Sequence, residues 1–497
     1  MNSPLLRTVY APVLMLKESS ILLTISSIGE HDTMKLIGTR DFYRKTMSIA
    51  VPIMVQTGIT NFVNMLDNIM VGRVGTDAMS GVSIVNQLFF VFTLCLFGAT
   101  AGIGLFTAQF SGKGDHDGIR YTMRMKLMVA ALITLLGILI LSLQGGSLIG
   151  FWLRGDSGTG SIVDTLSSAR SYMMVSLYGT LPMAIGMSYA GTLRETGETV
   201  LPMKAGLAAV LVNLVGNYIL IYGKLGAPAL GVVGAAAATV ISRYVEAFIV
   251  IAWTHAHPVK NAFVTGLYGS LYVPSDLIKK VWVKASPVLL NEFLWAGGQT
   301  VLSQQYSLKG LDVVAAMNIS STVNNVFNIV FIAMGEATAI IMGHELGKRK
   351  LDRKGLLEEA HRLSFLSVII CFVSGAALFI VSGYFPLIYN TSDTIRQIAT
   401  GLIRLSAIFM PLYAYENCSY FTLRSGGKTW ITFVFDSMFV WLISIPALNL
   451  LIKFTSLAIL PLFAGIQLLE FLKCGIGFFL VSRGVWINDL TRYSKDK

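Results

Sequence analysis

The feature that most restricts how this chain can fold is a series of long apolar runs. Three of them, Val129–Leu143, Phe365–Phe385 and Ile431–Ile452, approach or exceed the ~20 residues that a helix needs to cross a bilayer. These runs are apolar on all faces, whereas the strands of a membrane barrel alternate between apolar and polar residues. We therefore predict an all-α membrane protein.

The same pattern recurs along the whole chain. Hydrophobic residues make up 54% of the sequence and charged residues only 13%, against roughly 25% charged residues in soluble domains. We predict about twelve transmembrane helices, at residues 46–69, 82–110, 123–145, 168–190, 205–222, 230–253, 282–305, 315–342, 362–383, 398–421, 430–452 and 457–480.

Basic residues concentrate in alternate loops and account for much of the net charge of +11. Lys and Arg favour the cytoplasmic side of membrane proteins, so the pattern predicts an even number of spans with both termini in the cytoplasm. The charge then requires no nucleic acid partner. The basic loops contain Lys113, Arg120, Arg124 and Lys126; Arg194 and Lys204; Lys260, Lys279 and Lys280; Lys348, Arg349, Lys350, Arg353 and Lys354; and Arg424 and Lys428.

The chain also contains an internal repeat. Four segments match in the same order: Ser48–Gln56 with Val283–Asn291, Gly75–Phe89 with Asp312–Phe327, Phe97–Asp115 with Met334–Asp352, and Thr192–Thr199 with Thr422–Thr429. A duplication of six helices explains this order and gives both copies the same orientation. We predict a poorly ordered extension at 1–38, an N-lobe at 39–254 (helices 1–6), a cytoplasmic linker with a short interfacial helix at 255–280, a C-lobe at 281–484 (helices 7–12) and a cytoplasmic tail at 485–497.

The first helix carries a polar stripe that ends in a carboxylate. At 100° per residue, four side chains fall within about 80° of one another, namely Gln56, Thr60, Asn64 and Asp67. A charge inside the bilayer is costly and usually faces a cavity or a partner. We interpret Asp67 as a functional carboxylate, with a position at the outer interface as the alternative.

Helices seven and eight carry similar polar faces. The first of these faces contains Glu292, Trp295, Gln299 and Ser303, and the second contains Asn318, Thr322, Asn325 and Glu336. Such faces also serve helix packing, and Glu292 has an interfacial position near Lys284 as its alternative. Because corresponding helices of both halves are polar, we expect one central cavity shared by the two lobes.

Prolines and a second acidic position mark the remaining helices. Pro52, Pro182 and Pro411 lie inside predicted spans, where a missing N–H allows a bend, and we predict hinges there. Glu416 and Asn417 follow Pro411 on the tenth helix. Arg243 and Glu246, three residues apart on the sixth helix, are expected to pair.

The sequence contains no recognisable motif for catalysis or metal binding. The four cysteines lie far apart within spans, the six histidines lie in or near loops without an H-E-x-x-H pattern, and no D-x-x-D cluster is present. We therefore expect no structural metal, no cofactor and no enzymatic activity.

Three motifs resemble the multidrug and toxic compound extrusion (MATE) family: Asp67–Gly75, Thr192–Met203 and Gly226–Arg243. The resemblance extends over about residues 35–483. It implies two six-helix lobes in a V shape that export cationic or amphipathic compounds in exchange for H+ or Na+. It also implies cation coupling at Asp67 and, as in members with a sodium site, at Glu292. Met410–Tyr413 keeps a tenth-helix pattern of the family, but Asn417, beside Glu416, replaces its acid.

These observations predict a secondary active transporter that works by alternating access, in the plasma membrane of a bacterium and as a monomer. Its partners are a small-molecule substrate, the lipid bilayer and a transported H+ or Na+. A flippase for a lipid-linked precursor is the alternative, and an intramembrane polyprenyl-type transferase is the rival from another class. The predicted coupling residues are Asp67, Glu292, Glu416 and Asn417, and the predicted substrate cavity contains Gln56, Thr60, Asn64, Trp295, Gln299, Asn318 and Tyr413.

Overall fold

The structure, a computed structural model, describes residues 36–153 and 161–493 and contains no β-strand in these ranges. Residues 1–35, where most of the predicted N-terminal extension falls, lie outside the described part of the chain. The first described helix begins at Arg40. Thr39 is its N-cap, and the Thr39 side chain accepts a hydrogen bond from the backbone N–H of Phe42.

Twelve helical segments follow one another along the described chain. The first six are α1 (Arg40–Gly72), α2 (Thr76–Lys113), α3 (His116–Leu153), α4 (Ile162–Ser176 and Thr180–Glu195), α5 (Val200–Tyr222) and α6 (Val232–Ala256). The second six are α7 (Ser275–Ser307), α8 (Leu311–Lys348), α9 (Arg353–Val381), α10 (Asp393–Ser425), α11 (Thr429–Phe454) and α12 (Ile459–Ser482). This all-α architecture confirms the predicted fold class.

Ten of these segments are long and apolar enough to cross a membrane. The other two, α4 and α7, fall at the spans predicted for 168–190 and 282–305. A 3-10 turn at Leu177–Gly179 divides α4, and Pro182 follows it. Because proline lacks an N–H and its ring clashes with the carbonyl four residues earlier, Pro182 accounts for the interruption. Pro52 and Pro411 instead lie inside continuous helices.

Two π-helical turns interrupt α11, at Val434–Met438 and Val440–Ser444. Such turns are uncommon and often occur at functional positions. The first of them contains Asp436, whose contacts are described below.

The apolar cores show where the two halves separate and where they join. At the end where α1 meets α2, one apolar core, which includes Val71 and Ala236, contains only residues of the first half. At the end where α7 meets α8, a second core, which includes Leu302 and Ile466, contains only residues of the second half. Two further cores at the opposite end contain residues of both halves. The molecule is therefore a V, with its halves joined at the end that carries the basic loops.

Glycines allow the close contact at the joined end. A Cβ atom on Gly112 would lie 2.2 Å from the carbonyl oxygen of His344, and one on Gly347 would lie 2.0 Å from the carbonyl oxygen of Gln109. Only residues without a side chain permit the backbones of α2 and α8 to approach this closely.

The linker between the halves contains one short helical segment among its described residues. This segment is a 3-10 helix at Ala262–Val264, and α7 begins at Ser275, before the predicted end of the linker. The buried side chain of Arg124 donates hydrogen bonds to the carbonyl oxygens of Gly266, Leu267 and Tyr272, at 2.7, 3.0 and 2.8 Å. Hydrogen bonds from Arg124 of α3 to backbone carbonyls thus hold the linker in place. Hydrophobic periodicity does not reveal such contacts.

The segment after α12 packs across the joined end. Trp486 is fully buried, and the aromatic rings of Tyr493 and Phe110 make an edge-to-face contact. Gln109, also fully buried, donates to the carbonyl oxygens of Ser425 and Asn488 and accepts from the backbone N–H of Leu490. The side chain of Gln109 therefore connects the first half both to α10 and to the C-terminal segment.

We expect Gln109→Leu to lower the free energy of unfolding by about 1–3 kcal/mol, because two buried backbone groups, the Ser425 carbonyl and the Leu490 N–H, lose their partner. Thermal unfolding of the purified protein in detergent should give a lower Tm for this variant than for Gln304→Leu, a matched change at an exposed glutamine. Equal Tm values for the two variants would contradict the assigned role of Gln109.

Candidate functional site

The polar stripe of α1 faces α5 of the same half. Asn217 donates a hydrogen bond to a carboxylate oxygen of Asp67 at 2.6 Å. Further along α1, Gln56 packs against Gly206, where a Cβ atom would lie 3.1 Å from the Gln56 amide nitrogen. These contacts lie within the first half, and the cavity shared by both lobes stays a prediction for this stripe. Periodicity identifies the polar face of a helix but not the helix that lies opposite.

A second amide completes the surroundings of the Asp67 carboxylate. With its amide nitrogen turned towards that carboxylate, Asn213 donates to both carboxylate oxygens at 2.9 and 3.1 Å, and its oxygen accepts from the Thr239 hydroxyl at 3.2 Å. Asn213 and Asn217 are buried and lie four residues apart, on one face of α5. Two asparagines at this spacing inside an apolar span are a signal of this site that is visible in the sequence.

A cation and a phenol also lie near Asp67. Arg243 of α6 is close enough to attract the carboxylate, and it pairs with Glu246 at 3.1 Å, as expected from their spacing. Tyr172 lies near the same carboxylate and donates to Asn86 at 3.2 Å. We name Asp67, Asn213, Asn217 and Thr239 the N-half polar site.

Two predicted members of this stripe contribute less. The hydroxyl of Thr60 donates to the backbone carbonyl of Gln56 at 2.9 Å, a bond within the same helix. The side chain of Asn64 lies outside the described part of the structure.

The side chain of Glu292 contacts the first half and forms an ion pair within the second half. Its carboxylate is 3.6 Å from the guanidinium of Arg424, and its side chain packs beside Gly98 of α2. Trp295 and Gln299, further along the same face of α7, are exposed, as is Asn318 on α8. These residues lie on the part of the helices where the halves have separate cores.

The tenth helix contributes to a different cluster, buried against α11 and α12. Lys473 of α12, 4% exposed, forms ion pairs with Glu416 and, at 3.3 Å, with Asp436. Asn291 donates to the other Asp436 oxygen at 3.0 Å. Glu470 also lies beside Glu416. One lysine therefore neutralises several carboxylates inside the second half.

The two remaining tenth-helix candidates also face other helices. Tyr413 donates to Gln467 of α12 at 2.6 Å. Asn417 packs against Gly335 of α8, and its buried side-chain oxygen has no hydrogen-bond partner among the described residues. The four predicted coupling residues thus occupy separate places: Asp67 in the first half, Glu292 beside Arg424, Glu416 beside Lys473, and Asn417 against α8.

A cavity of about 110 Å³ lies between the halves near their joined end. We name it the closed-side cavity. Lys126, Arg194, Glu195, Glu336 and Arg424 are the charged residues among those that line it. Arg194 and Glu336, from opposite halves, pair at 3.6 Å, and Lys126 pairs with Glu195.

This convergence of charges involves residues that are distant in sequence, and one sequence signal points to it. Arg194 and Arg424 occupy the same position in the repeated motifs Thr192–Thr199 and Thr422–Thr429. Their equivalence could have suggested that both arginines lie near the pseudo-symmetry axis. The two glutamates that pair with them, Glu336 and Glu292, lie on different helices, so the motif alone does not reveal the partners.

Two repeats of six helices that form a V around buried, paired charges define a membrane transporter of the alternating-access class. The profile of the MatE family matches both repeats, at residues 52–219 and 287–455. The chain belongs to the MatE family.

Several named proteins are similar over most of their length. The probable multidrug resistance protein NorM of Thermotoga maritima is 23% identical over 430 residues, which covers 85% of this chain and 88% of the relative. The multidrug resistance protein MdtK of Pectobacterium atrosepticum is 23% identical over 409 residues, covering 81% and 86%.

Solved structures share the fold. The outward-facing conformation of a multidrug resistance MATE family transporter of the MOP superfamily superposes with a TM-score of 0.77 at 18% identity, covering 90% of this chain and 96% of that one. A variant of the Vibrio cholerae MATE transporter VcmN superposes with a TM-score of 0.79 at 15% identity, covering 91% and 98%.

The lysine-centred cluster yields a stability prediction. Lys473→Met should lower the free energy of unfolding by about 3–5 kcal/mol, because it leaves buried carboxylates without their cation. Adding Glu416→Gln to this variant should restore part of the loss. Denaturant titration in mixed micelles measures both, with Lys453→Met at an exposed lysine as the control. A loss no greater than that of the control would disprove the role of Lys473.

Proposed function

We propose that this protein is a multidrug exporter that moves cationic or amphipathic small molecules out of the cell in exchange for H+ or Na+. The single observation that carries the coupling proposal is the Asp67 carboxylate held by two buried amides of α5. The names of the NorM and MdtK relatives support drugs as the cargo.

The orientation follows from the basic loops. They lie at the joined end of the V, and basic loops favour the cytoplasm. On that basis both termini lie in the cytoplasm. The proposal also places the protein in a bacterial plasma membrane, as a monomer. The state described here then has its halves closed on the cytoplasmic side and separated on the outer side.

Helix α1 gives the ion a mechanical route to the contact between the halves. Its outer part carries Asp67 into the N-half polar site, whereas Phe42 and Ile49 of its inner part pack against second-half residues in a core that the halves share. Pro52 is buried between these two parts and lacks the N–H of a regular helical turn. A change at Asp67 is therefore transmitted to the second half when α1 bends at Pro52.

A cation at Asp67 changes the free energy of this arrangement. Asn213 and Asn217 donate hydrogen bonds to the carboxylate and so stabilise its charged form. Binding of a proton or sodium ion removes the need for these donors, and α1 can then leave α5 at lower cost. An ion shifts the equilibrium only if it binds one of the two conformations more tightly. The Asn213 and Asn217 donors are present when α1 packs on α5 and absent when it leaves, so the two conformations differ in their affinity for the ion.

The flippase alternative is less well supported by the charges between the halves. A pyrophosphate headgroup needs a surplus of positive charge. Among the described residues at the closed-side cavity, Lys126, Arg194 and Arg424 are each paired with a glutamate. The pairing leaves these three cations without the surplus positive charge that a pyrophosphate needs.

We expect Asp67→Asn to abolish ion-driven efflux, because a neutral amide neither takes up H+ nor offers a negative charge to Na+. Reconstituted vesicles loaded with a fluorescent cation such as ethidium test this under an imposed pH gradient and, separately, an imposed sodium gradient. Whichever gradient drives efflux by the wild type identifies the ion.

The matched control is Asp393→Asn, which neutralises an exposed aspartate at the start of α10. Its efflux should equal that of the wild type. Ion-driven efflux by Asp67→Asn at the rate of this control would refute the coupling role.

A further inference from the structure

The closed-side cavity combines apolar walls with an acidic group. Phe97, Leu105, Met187 and Phe421 supply apolar surface, and Glu336 of α8 lines the same space. A pocket for a hydrophobic cation needs these two components, because the aromatic faces attract the cation and the carboxylate neutralises it.

Among the ion pairs that the described residues form at this cavity, the Glu336 pair alone spans the halves. Glu195 pairs with Lys126 of the same half, and Glu292 pairs with Arg424 of the same half. Glu336 pairs with Arg194, which belongs to the first half. When the halves separate on this side, the first two pairs move as units, whereas Glu336 and Arg194 move apart.

The Arg194–Glu336 pair is also suited to exchange. Its atoms are 3.6 Å apart, longer than the ~2.7–2.9 Å of a strong hydrogen-bonded ion pair. Both side chains are about a quarter exposed, at 25% and 26%. The two groups are therefore held loosely and are accessible to a competitor.

Separation of the halves removes Arg194 from Glu336 and leaves Arg424, of the same half, as the cation that still attracts this carboxylate. Arg424 lies over the Phe421 ring and already pairs with Glu292. A hydrophobic organic cation can take the place of Arg194 beside Glu336 while it covers Phe97. The cavity of about 110 Å³ is smaller than the ~300–1,000 Å³ of drug-sized sites. The cation therefore fits only after the halves separate.

We propose that Glu336 binds the organic cation cargo on the cytoplasmic side, and that Arg194 occupies the cargo's place when that side is closed. The inference rests on the proposed export function and adds the residue that selects the cargo's charge. Because Arg194 leaves Glu336 only in the cytoplasm-open state, cargo that binds Glu336 stabilises that state. Return of Arg194 to Glu336 then expels the cargo as the halves close.

Binding to the full-length protein in lipid nanodiscs tests this proposal with two probes of one shape and opposite charge, tetraphenylphosphonium and tetraphenylborate. We expect Glu336→Gln to weaken tetraphenylphosphonium binding by about tenfold or more and to leave tetraphenylborate binding unchanged. Arg194→Gln should retain or tighten tetraphenylphosphonium binding, because the competing cation is gone. Glu336→Asp, which keeps the charge, should lie between Glu336→Gln and the wild type and supplies the test if Glu336→Gln does not fold.

Glu358→Gln is the matched control, because Glu358 is similarly exposed and pairs with Arg362 at 2.9 Å within α9. It should bind both probes as the wild type does. Equal tetraphenylphosphonium affinity in Glu336→Gln and this control overturns the proposal, as does an equal loss of both probes. Selective loss of tetraphenylborate in Arg194→Gln, with tetraphenylphosphonium binding intact in Glu336→Gln, assigns the cavity to anions and also overturns it.

Efflux from vesicles separates this inference from the proposed function. Wild-type protein that exports tetraphenylphosphonium under neither ion gradient overturns both. Wild-type export that Glu336→Gln leaves unchanged overturns only the assignment of Glu336.

Discussion

The arrangement of this protein depends on the need to neutralise each charge that lies inside the membrane. A bare charge there costs several kcal/mol, so a carboxylate on one helix requires a cation or strong donors on another. Asp67 has two amides of α5, Glu416 has Lys473, and Glu336 has Arg194. These pairings determine which polar faces meet when the twelve helices pack.

The pairs differ in whether both members belong to one half. Lys473 with Glu416 and Arg424 with Glu292 lie within the second half and persist through any rigid movement of it. The pair of Arg194 with Glu336 and the pair of Lys45 with Glu345, at 2.7 Å, join the halves at the closed end. A movement that opens this end must break these contacts, so their partners in the open state decide the energy of the transition.

Apolar packing shows the same division. The two cores at the open end each belong to one half, whereas both cores at the closed end combine residues of the two. Helix α1 takes part in both regions, since its inner part packs on the second half and its outer part carries Asp67 into the first. An ion site inside one lobe can therefore influence the contact between lobes without lying in the space between them.

The sequence by itself determined the all-α membrane fold, about twelve spans and two repeats, because apolar length and internal similarity are properties of the chain alone. It also identified Asp67 and the other intramembrane acids, since a charge within an apolar run is visible without coordinates. Only the tertiary structure decided their partners: Asn213 and Asn217 for Asp67, Lys473 for Glu416 and Arg194 for Glu336. Periodicity gives the direction of a side chain from its own helix axis, but the helix that lies opposite depends on how all twelve pack together.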